Sequence, residues 1–229
     1  MATLLLRLQG PMQSWGTTSR FDERDTQLEP SKSGVLGLIC AALGRDRSEP
    51  VGDLAALRMG VRVDQEGVPM RDFQTIGGDR DPEKQKKSVL TASGDFRKDP
   101  VVSPRYYLSD AVFLVGLEGG LPLLACIHDA LHRPVWPLAL GRKSFVPSVP
   151  VHLPDGLVET ELEQALTEWP ALAGDGTQAR RLVLEDVSEG AIRLDQPVAS
   201  FAQRRFGPRF VKSLVLPAGG EHAPDPIVA

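Results

Sequence analysis

The sequence is poor in the side chains that build disulfide frameworks and metal centres, with 2 cysteines and 4 histidines among 229 residues. Cys40 and Cys126 both fall within apolar helical patterns, so we interpret them as buried thiols and not as a disulfide pair. No apolar run approaches the length of a membrane-spanning helix. The residues after Met1 lack the basic and apolar regions of a signal peptide. We therefore expect a cytoplasmic protein without disulfides or membrane contact.

The sequence also lacks the glycine fingerprints of phosphate-binding loops and dinucleotide sites, and the serine elbow of hydrolases. His128 and His132 lie one helical turn apart, which is a zinc-ligand spacing, but Asp129 stands where the zinc-protease motif needs glutamate. No third ligand has a supporting motif, so we predict no metal and no cofactor. One enzymatic alternative stays open, which is metal-independent cleavage of RNA. The side chains available for it are Tyr106, Tyr107, Lys143 and His128.

Charge is unevenly distributed along the chain, although the formal net charge is only −4 at pH 7. Acidic residues are concentrated between residues 155 and 195. Residues 1–20, 133–154 and 196–212 contain bases and no acids. Because a patchy surface can bind a polyanion while the whole molecule stays acidic, this distribution is compatible with nucleic-acid binding.

The order of predicted elements indicates an α+β fold. Apolar and alternating patterns predict strand, helix, strand, strand, helix and strand in succession. That order is the split βαβ, ferredoxin-like arrangement, which RNA-recognition modules also use. In chain order the elements are strand 3–8, a helix within 30–44, strands 58–64 and 69–76 as an antiparallel pair, strand 105–117, helix 121–131 and strand 149–153.

Two segments depart from this core. Residues 77–104 are rich in bases and poor in apolar side chains, so we predict a protruding hairpin or flap inserted into a first domain of residues 1–154. Residues 155–229 combine an acidic helix, short strands and a loose tail. We predict that they form a small second unit rich in β-structure.

Three stretches could contact RNA. The helix within 30–44 carries Lys32, Ser33 and Gly34 in its first turn, where free N–H groups favour an anion. The alternative is that its glycines only allow tight packing on a neighbour. The turn over residues 140–145 combines a glycine, two bases, a hydroxyl and an aromatic ring, which is the chemistry of a phosphate clamp. Trp15 either stacks on a base or fills the core.

Several motifs occur together in an order that resembles the CasD family, the RAMP-superfamily subunits of the type I-E CRISPR surveillance complex Cascade. These are GPMQSWG at 10–16, PSKSGVLG at 30–37, DFQT at 72–75, RYYLSD at 105–110 and LGRKS at 140–144. The resemblance implies a ferredoxin-like RAMP palm with a β-hairpin thumb. It implies a non-catalytic subunit that binds the 5′ handle of the CRISPR RNA (crRNA) and caps one end of the complex. The relative in type I-C systems is an endoribonuclease, so RNA processing remains the alternative.

The resemblance also implies partners and RNA-binding residues. The partners are the backbone subunit CasC and the large subunit CasA, with target DNA reached only through the assembled complex. The expected RNA contacts in the motifs are Gln13, Ser14, Trp15, Lys32, Ser33, Gly34, Arg105, Gly141, Arg142, Lys143 and Ser144. A looser group in the thumb comprises Lys84, Lys86, Lys87, Arg97 and Lys98.

Overall fold

A seven-stranded antiparallel sheet runs through the computed structural model, which describes residues 1–18, 23–77, 89–91, 93–95, 99–174 and 178–217. The strand order is β7-β1-β6-β3-β8-β10-β9. A separate sheet of three strands has the order β2-β5-β4. The strands are β1 (Ala2–Gln9), β2 (Met12–Gln13), β3 (Arg58–Gln65), β4 (Val68–Ile76), β5 (Val101–Ser109), β6 (Val112–Gly119), β7 (His152–Val158), β8 (Arg180–Asp186), β9 (Ala191–Pro197) and β10 (Phe206–Leu216).

Helices cover both faces of the large sheet. They are α1 (Lys32–Leu43), α2 (Gly52–Ala55), α3 (Leu121–His132) and α4 (Leu162–Glu168). Apolar residues of α1 and α3 pack with Leu4, Leu6 and Leu8 of β1 in the larger core, whereas α4 packs with Leu5 and Leu114 in the smaller one. Because successive residues of a strand point to opposite faces, the apolar run of β1 supplies both cores. No described helix has the length and apolar character to span a membrane.

The predicted pairing of the strands at 58–64 and 69–76 is wrong. β3 pairs with β6 and β8, and β4 pairs with β5 in the other sheet. The predicted strand at 105–117 is divided into β5 and β6 around Asp110, whose φ of 57° breaks the extended backbone. Alternating patterns show that a segment is a strand, but they do not show which sheet it joins.

The β4–β5 hairpin has a longer stem than the thumb predicted at 77–104. Its two strands pair from Val68 opposite Ser109 to Ile76 opposite Val101. The stem therefore begins before residue 77 and continues beyond residue 104. Residues 78–88, 92 and 96–98 lie outside the described part of the chain.

The C-terminal strands continue the large sheet. β8 hydrogen-bonds to β3, with Val61 opposite Val183, and β10 and β9 follow it. The predicted division between residues 154 and 155 falls inside β7, which extends to Val158 and not to the predicted end at residue 153. The structure thus differs from two units packed side by side, because hydrogen bonds of a single sheet cross the predicted boundary.

Candidate nucleic-acid interface

The glycine turn over residues 140–145 lies next to the base of the β4–β5 hairpin. The N–H of Ser14 donates to the carbonyl of Leu140 at 3.1 Å, and the N–H of Leu140 donates to the carbonyl of Phe145 at 2.7 Å. Gly141 has a φ of 90°, and a Cβ at this position would lie 1.7 Å from the carbonyl oxygen of Ser14. Only glycine fits here, and the next residue, Arg142, is thereby directed toward β5.

Arg142 is half-buried and bound to backbone. Its Nη2 donates to the carbonyl of Tyr106 at 2.7 Å, and its guanidinium lies 5.3 Å from the centre of the Phe145 ring. Burial lowers the pKa of Arg142, and the neighbouring charges of Arg105 and Arg24 lower it further, against the opposing effect of Asp72 and Asp25. The charges of Arg105 and Arg24 thus both act on Arg142, and we call Arg24, Arg105 and Arg142 the arginine cluster.

Arg105 and Arg24 reach the cluster from two adjacent backbone segments. Arg105 lies opposite Asp72 in the hairpin, on the same strand face as Tyr107, whose ring packs against Phe145 at 5.8 Å. The N–H of Arg24 donates to the carbonyl of Pro104 at 3.0 Å, and the N–H of Tyr106 donates to the carbonyl of Arg24 at 2.8 Å. The loop before α1 is thus joined to the edge of β5 beside Arg105.

Arg24 was missed by the sequence analysis. It lies in residues 17–30, which show no hydrophobic period. No local pattern in that segment distinguished Arg24 as a binding residue. Nothing near it in the sequence indicated that this loop would bridge to β5, about 80 residues later in the chain.

Lys143 and Ser144 extend the arginine cluster to the surface. Both are exposed at the tip of the glycine turn, together with Gly141. Guanidinium groups, an ammonium, a hydroxyl and exposed N–H groups are the donors that phosphate oxygens accept from most often. The arrangement can therefore bind the backbone of a nucleic acid. The structure brings Arg105, Gly141, Arg142, Lys143 and Ser144 together.

The predicted contacts by Gln13 and Trp15 do not agree with their burial. Trp15 is 1% exposed and lies in the larger core, where its indole N–H donates to Oε1 of Gln13 at 3.2 Å. Gln13 is fully buried, and its amide donates to the carbonyls of Leu8 and Ala111. Gln13 therefore joins β2 to β1 and to the residue that precedes β6. Ser14 is also buried, and its hydroxyl donates to the carbonyl of Tyr106 at 3.2 Å.

The predicted anion site at the start of α1 is already occupied by the protein. The backbone N–H of Lys32 donates to Oδ2 of Asp195 at 2.7 Å, and its 1%-exposed side chain pairs with Glu185 at 2.9 Å. A Cβ on Gly34 would lie 2.8 Å from the Trp15 ring, so this glycine allows tight packing. The tight-packing alternative describes this helix, and Lys32 and Gly34 need correction as phosphate contacts. Ser33, the next residue in the chain, is half-buried.

The remaining predicted RNA contacts are the thumb bases Lys84, Lys86, Lys87, Arg97 and Lys98. All of them lie outside the described residues. Their place in the interface therefore stays a prediction.

Three of the four histidines meet between α3 and β7. The ring centre of His152 lies 4.4 Å from that of His128 and 5.0 Å from that of His132. His128 Nε2 is 3.1 Å from the carbonyl oxygen of Leu153. Within the described ranges no group of three or more His, Cys, Asp or Glu side chains can hold a metal ion. No hydrogen bond or ring contact of the described residues joins His128 to Tyr106, Tyr107 or Lys143.

The histidine contacts predict that stability falls in mild acid. Burial lowers the pKa of His152, and the charges of His128 and His132 lower it further, against Asp129. The unfolded chain therefore binds this proton at a higher pH than the folded chain, and the free energy of unfolding decreases as the pH falls below about 6.5. Urea unfolding at several pH values measures this dependence. His152→Asn should make it shallower, and an unchanged dependence would contradict the assignment to His152.

Comparisons with known proteins agree on one family. The profile of the family described as "CRISPR-associated protein (Cas_Cas5)" matches residues 3–212. The chain is 30% identical over 188 residues to the CRISPR system Cascade subunit CasD of Escherichia coli K12, covering 75% of this chain and 79% of that protein. A solved structure titled "Crystal structure of Cas protein" has 52% identity and a TM-score of 0.77 over 94% of this chain and 95% of its own. A chain of a "CRISPR RNA-guided surveillance complex" has 35% identity and a TM-score of 0.74 over 93% and 89%.

Proposed function

Because the chain belongs to the Cas5 family of CRISPR-associated proteins, we propose that it is a non-catalytic subunit of a type I-E Cascade surveillance complex and binds the 5′ handle of the crRNA. The relative from Escherichia coli is a Cascade subunit, and a structural neighbour comes from an RNA-guided surveillance complex. In this role the protein caps the complex next to CasA and contacts the backbone subunit CasC. It meets target DNA only within the assembled complex.

The strand order supports a ferredoxin-like palm as the scaffold of this function. β1, β3, β6 and β7 have the order β7-β1-β6-β3, and every neighbouring pair is antiparallel. α1 connects β1 to β3 along the chain and α3 connects β6 to β7, with both helices packed in the same core. The β4–β5 hairpin interrupts the β3–β6 connection and is the proposed thumb.

The arginine cluster is the observation that carries the proposal. Arg105 lies on β5 of the proposed thumb, Arg142 donates to Tyr106 of the same strand, and the charges of Arg105 and Arg24 both act on Arg142. Lys143 and Ser144 follow Arg142 in the chain and are exposed. Like charges held close together repel one another, and a bound phosphate relieves that repulsion while accepting their hydrogen bonds. The charges of Asp72 and Asp25 oppose this effect at Arg142, and an anionic backbone would act on Arg142 in the same sense. Phosphate contacts of this kind fix the register of an RNA strand.

The proposal predicts a salt-dependent affinity for handle RNA that falls when the arginine cluster is reduced. Arg105→Ala and Arg142→Ala should each weaken binding by about tenfold, since each removes a charge-assisted hydrogen bond. Each should also lower the slope of log Kd against log salt by about 0.7, the value for one phosphate contact on a single strand. Fluorescence anisotropy with labelled single-stranded RNA corresponding to the 5′ handle measures both quantities.

A matched control uses Lys212 of β10, a base that pairs with Asp186 and Glu189. Lys212→Ala should leave both the affinity and the slope at their wild-type values. Wild-type binding that does not respond to salt would contradict the electrostatic proposal.

A cleavage assay tests the endoribonuclease alternative. When the protein is incubated with full-length repeat RNA, the RNA should remain intact. Site-specific cleavage that is lost in Tyr106→Phe would instead favour the endoribonuclease alternative.

A further inference from the structure

Arg193 on β9 contacts the loop that carries Arg24, although the two residues are far apart in the sequence. We propose that Arg193 is a positioning residue, which fixes residues 23–29 so that Arg24 completes the arginine cluster. This inference rests on the proposed function. It gives the C-terminal strands a part in RNA binding without any contact between Arg193 and RNA.

The fork of Arg193 holds two points of the loop at once. Its Nη1 donates to Oε1 of Gln27 at 2.9 Å, and its Nη2 donates to Oε1 of Glu29. Glu29 is buried, and its second oxygen accepts from Nη1 of Arg181 at 2.8 Å. A planar guanidinium with two directed donors fixes the spacing between Gln27 and Glu29, which an ammonium cannot do as well.

Gln27 passes this restraint on to the residues before it. Its N–H donates to the carbonyl of Trp15 at 3.2 Å, and its side-chain amide donates to the hydroxyl of Thr17 at 2.9 Å. The backbone N–H groups of Thr17 and Thr18 donate in turn to Oδ2 of Asp25. The loop is therefore a closed set of hydrogen bonds around residue 25, and Arg193 of β9 and Arg181 of β8 join it to the large sheet.

Arg24 lies between this closed set and the hairpin. Its backbone bonds to Pro104 and Tyr106 give the loop a second anchor, on β5. Nη2 of Arg142 also lies 3.5 Å from the carbonyl oxygen of Arg24. If Arg193 is removed, Gln27 and Glu29 each lose one bond, while the bonds of Gln27 to Trp15 and Thr17 and those of Arg24 to β5 remain. We therefore expect the Arg24 contact to be weakened, because the loop keeps its ends but loses the restraint that fixes the spacing between Gln27 and Glu29.

A double-mutant cycle tests this coupling. Arg24→Ala should weaken binding of the handle RNA by about tenfold, and Arg193→Ala should give a smaller loss in affinity and in salt slope. The double variant should bind no more weakly than Arg24→Ala, because Arg193 acts through the contact that Arg24→Ala has already removed. If Arg193 only stabilises the fold, its effect will persist undiminished when Arg24 is already alanine. Lys212→Ala is the control, because it removes a base whose ion pairs in the described part of the chain are with Asp186 and Glu189, outside the loop.

Gln27→Ala keeps the experiment decisive if Arg193→Ala does not fold. It removes the bond from Arg193 Nη1 but leaves Glu29 paired with both arginines, and the same absence of additivity with Arg24→Ala is expected. Wild-type affinity in Arg193→Ala or Gln27→Ala, or losses that multiply in the double variant, would overturn the positioning role. Failure of the proposed function looks different, because then the wild-type protein itself does not bind the RNA.

Discussion

Replacing Asp195 with alanine should lower the free energy of unfolding by about 3–5 kcal/mol, the usual cost of removing one partner of a buried ion pair. Asp195 is 2% exposed, and its two oxygens accept from Nε and Nη2 of Arg209 at 2.6 and 2.9 Å. The same carboxylate accepts the first N–H of α1, at Lys32. Without it, Arg209 keeps Glu185 at 3.8 Å as its acidic partner among the described residues, and the helix loses the negative group at its N-terminus.

Asp53→Ala provides the matched control, because this aspartate also pairs with an arginine, Arg45, but is 44% exposed. Exposed pairs contribute about 1 kcal/mol or less, so the two alanine variants should differ by at least about 2 kcal/mol in urea unfolding. Asp195→Asn should give an intermediate value, because an amide oxygen can still accept the N–H of Lys32. Equal losses in the two alanine variants would show that burial of the Asp195 pair contributes nothing.

The local structure of α1 was predictable because its signals are local. Its apolar residues indicated a helix within residues 30–44, and the structure has a helix from Lys32 to Leu43 with Gly44 in the left-handed conformation. Its N-terminal cap was not predictable. Ser31 makes no capping hydrogen bond through its side chain, and Asp195 acts instead. A cap supplied from 163 residues away leaves no pattern in the sequence around the helix.

The candidate site also contains residues that the sequence could identify and residues that it could not. Gly141 and the two bases after it were recognisable because the turn and its donors are consecutive in the sequence. Lys32 likewise lies beside a serine and a glycine in the sequence, which predicted a phosphate contact. In the structure its side chain is buried and paired with Glu185. The strands that bury it were themselves predicted as a separate unit, so the sequence offered no reason to place an acid there. Burial by remote strands determines which bases face solvent, and periodicity does not report it.

Gly141→Ala should lower the free energy of unfolding by about 2–4 kcal/mol and weaken handle RNA binding by about tenfold. Residue 141 has a φ of 90°, and its Cβ would lie 1.7 Å from the Ser14 carbonyl oxygen, so the turn must move. Movement of the turn displaces Arg142, which then loses the Tyr106 carbonyl. Both effects follow from one methyl group because this turn joins the core to the arginine cluster.

Gly94→Ala separates the two causes of that loss. Gly94 has a φ of 87°, nearly the same as Gly141, but a Cβ there would meet no atom of the described residues within 4 Å. This variant should therefore show only the cost of the backbone conformation, about 1–2 kcal/mol. Urea unfolding of both variants measures the difference, which reports the clash with Ser14. If the two variants lose the same stability, the close approach of Gly141 to Ser14 has no energetic role, and the expected displacement of Arg142 is wrong with it.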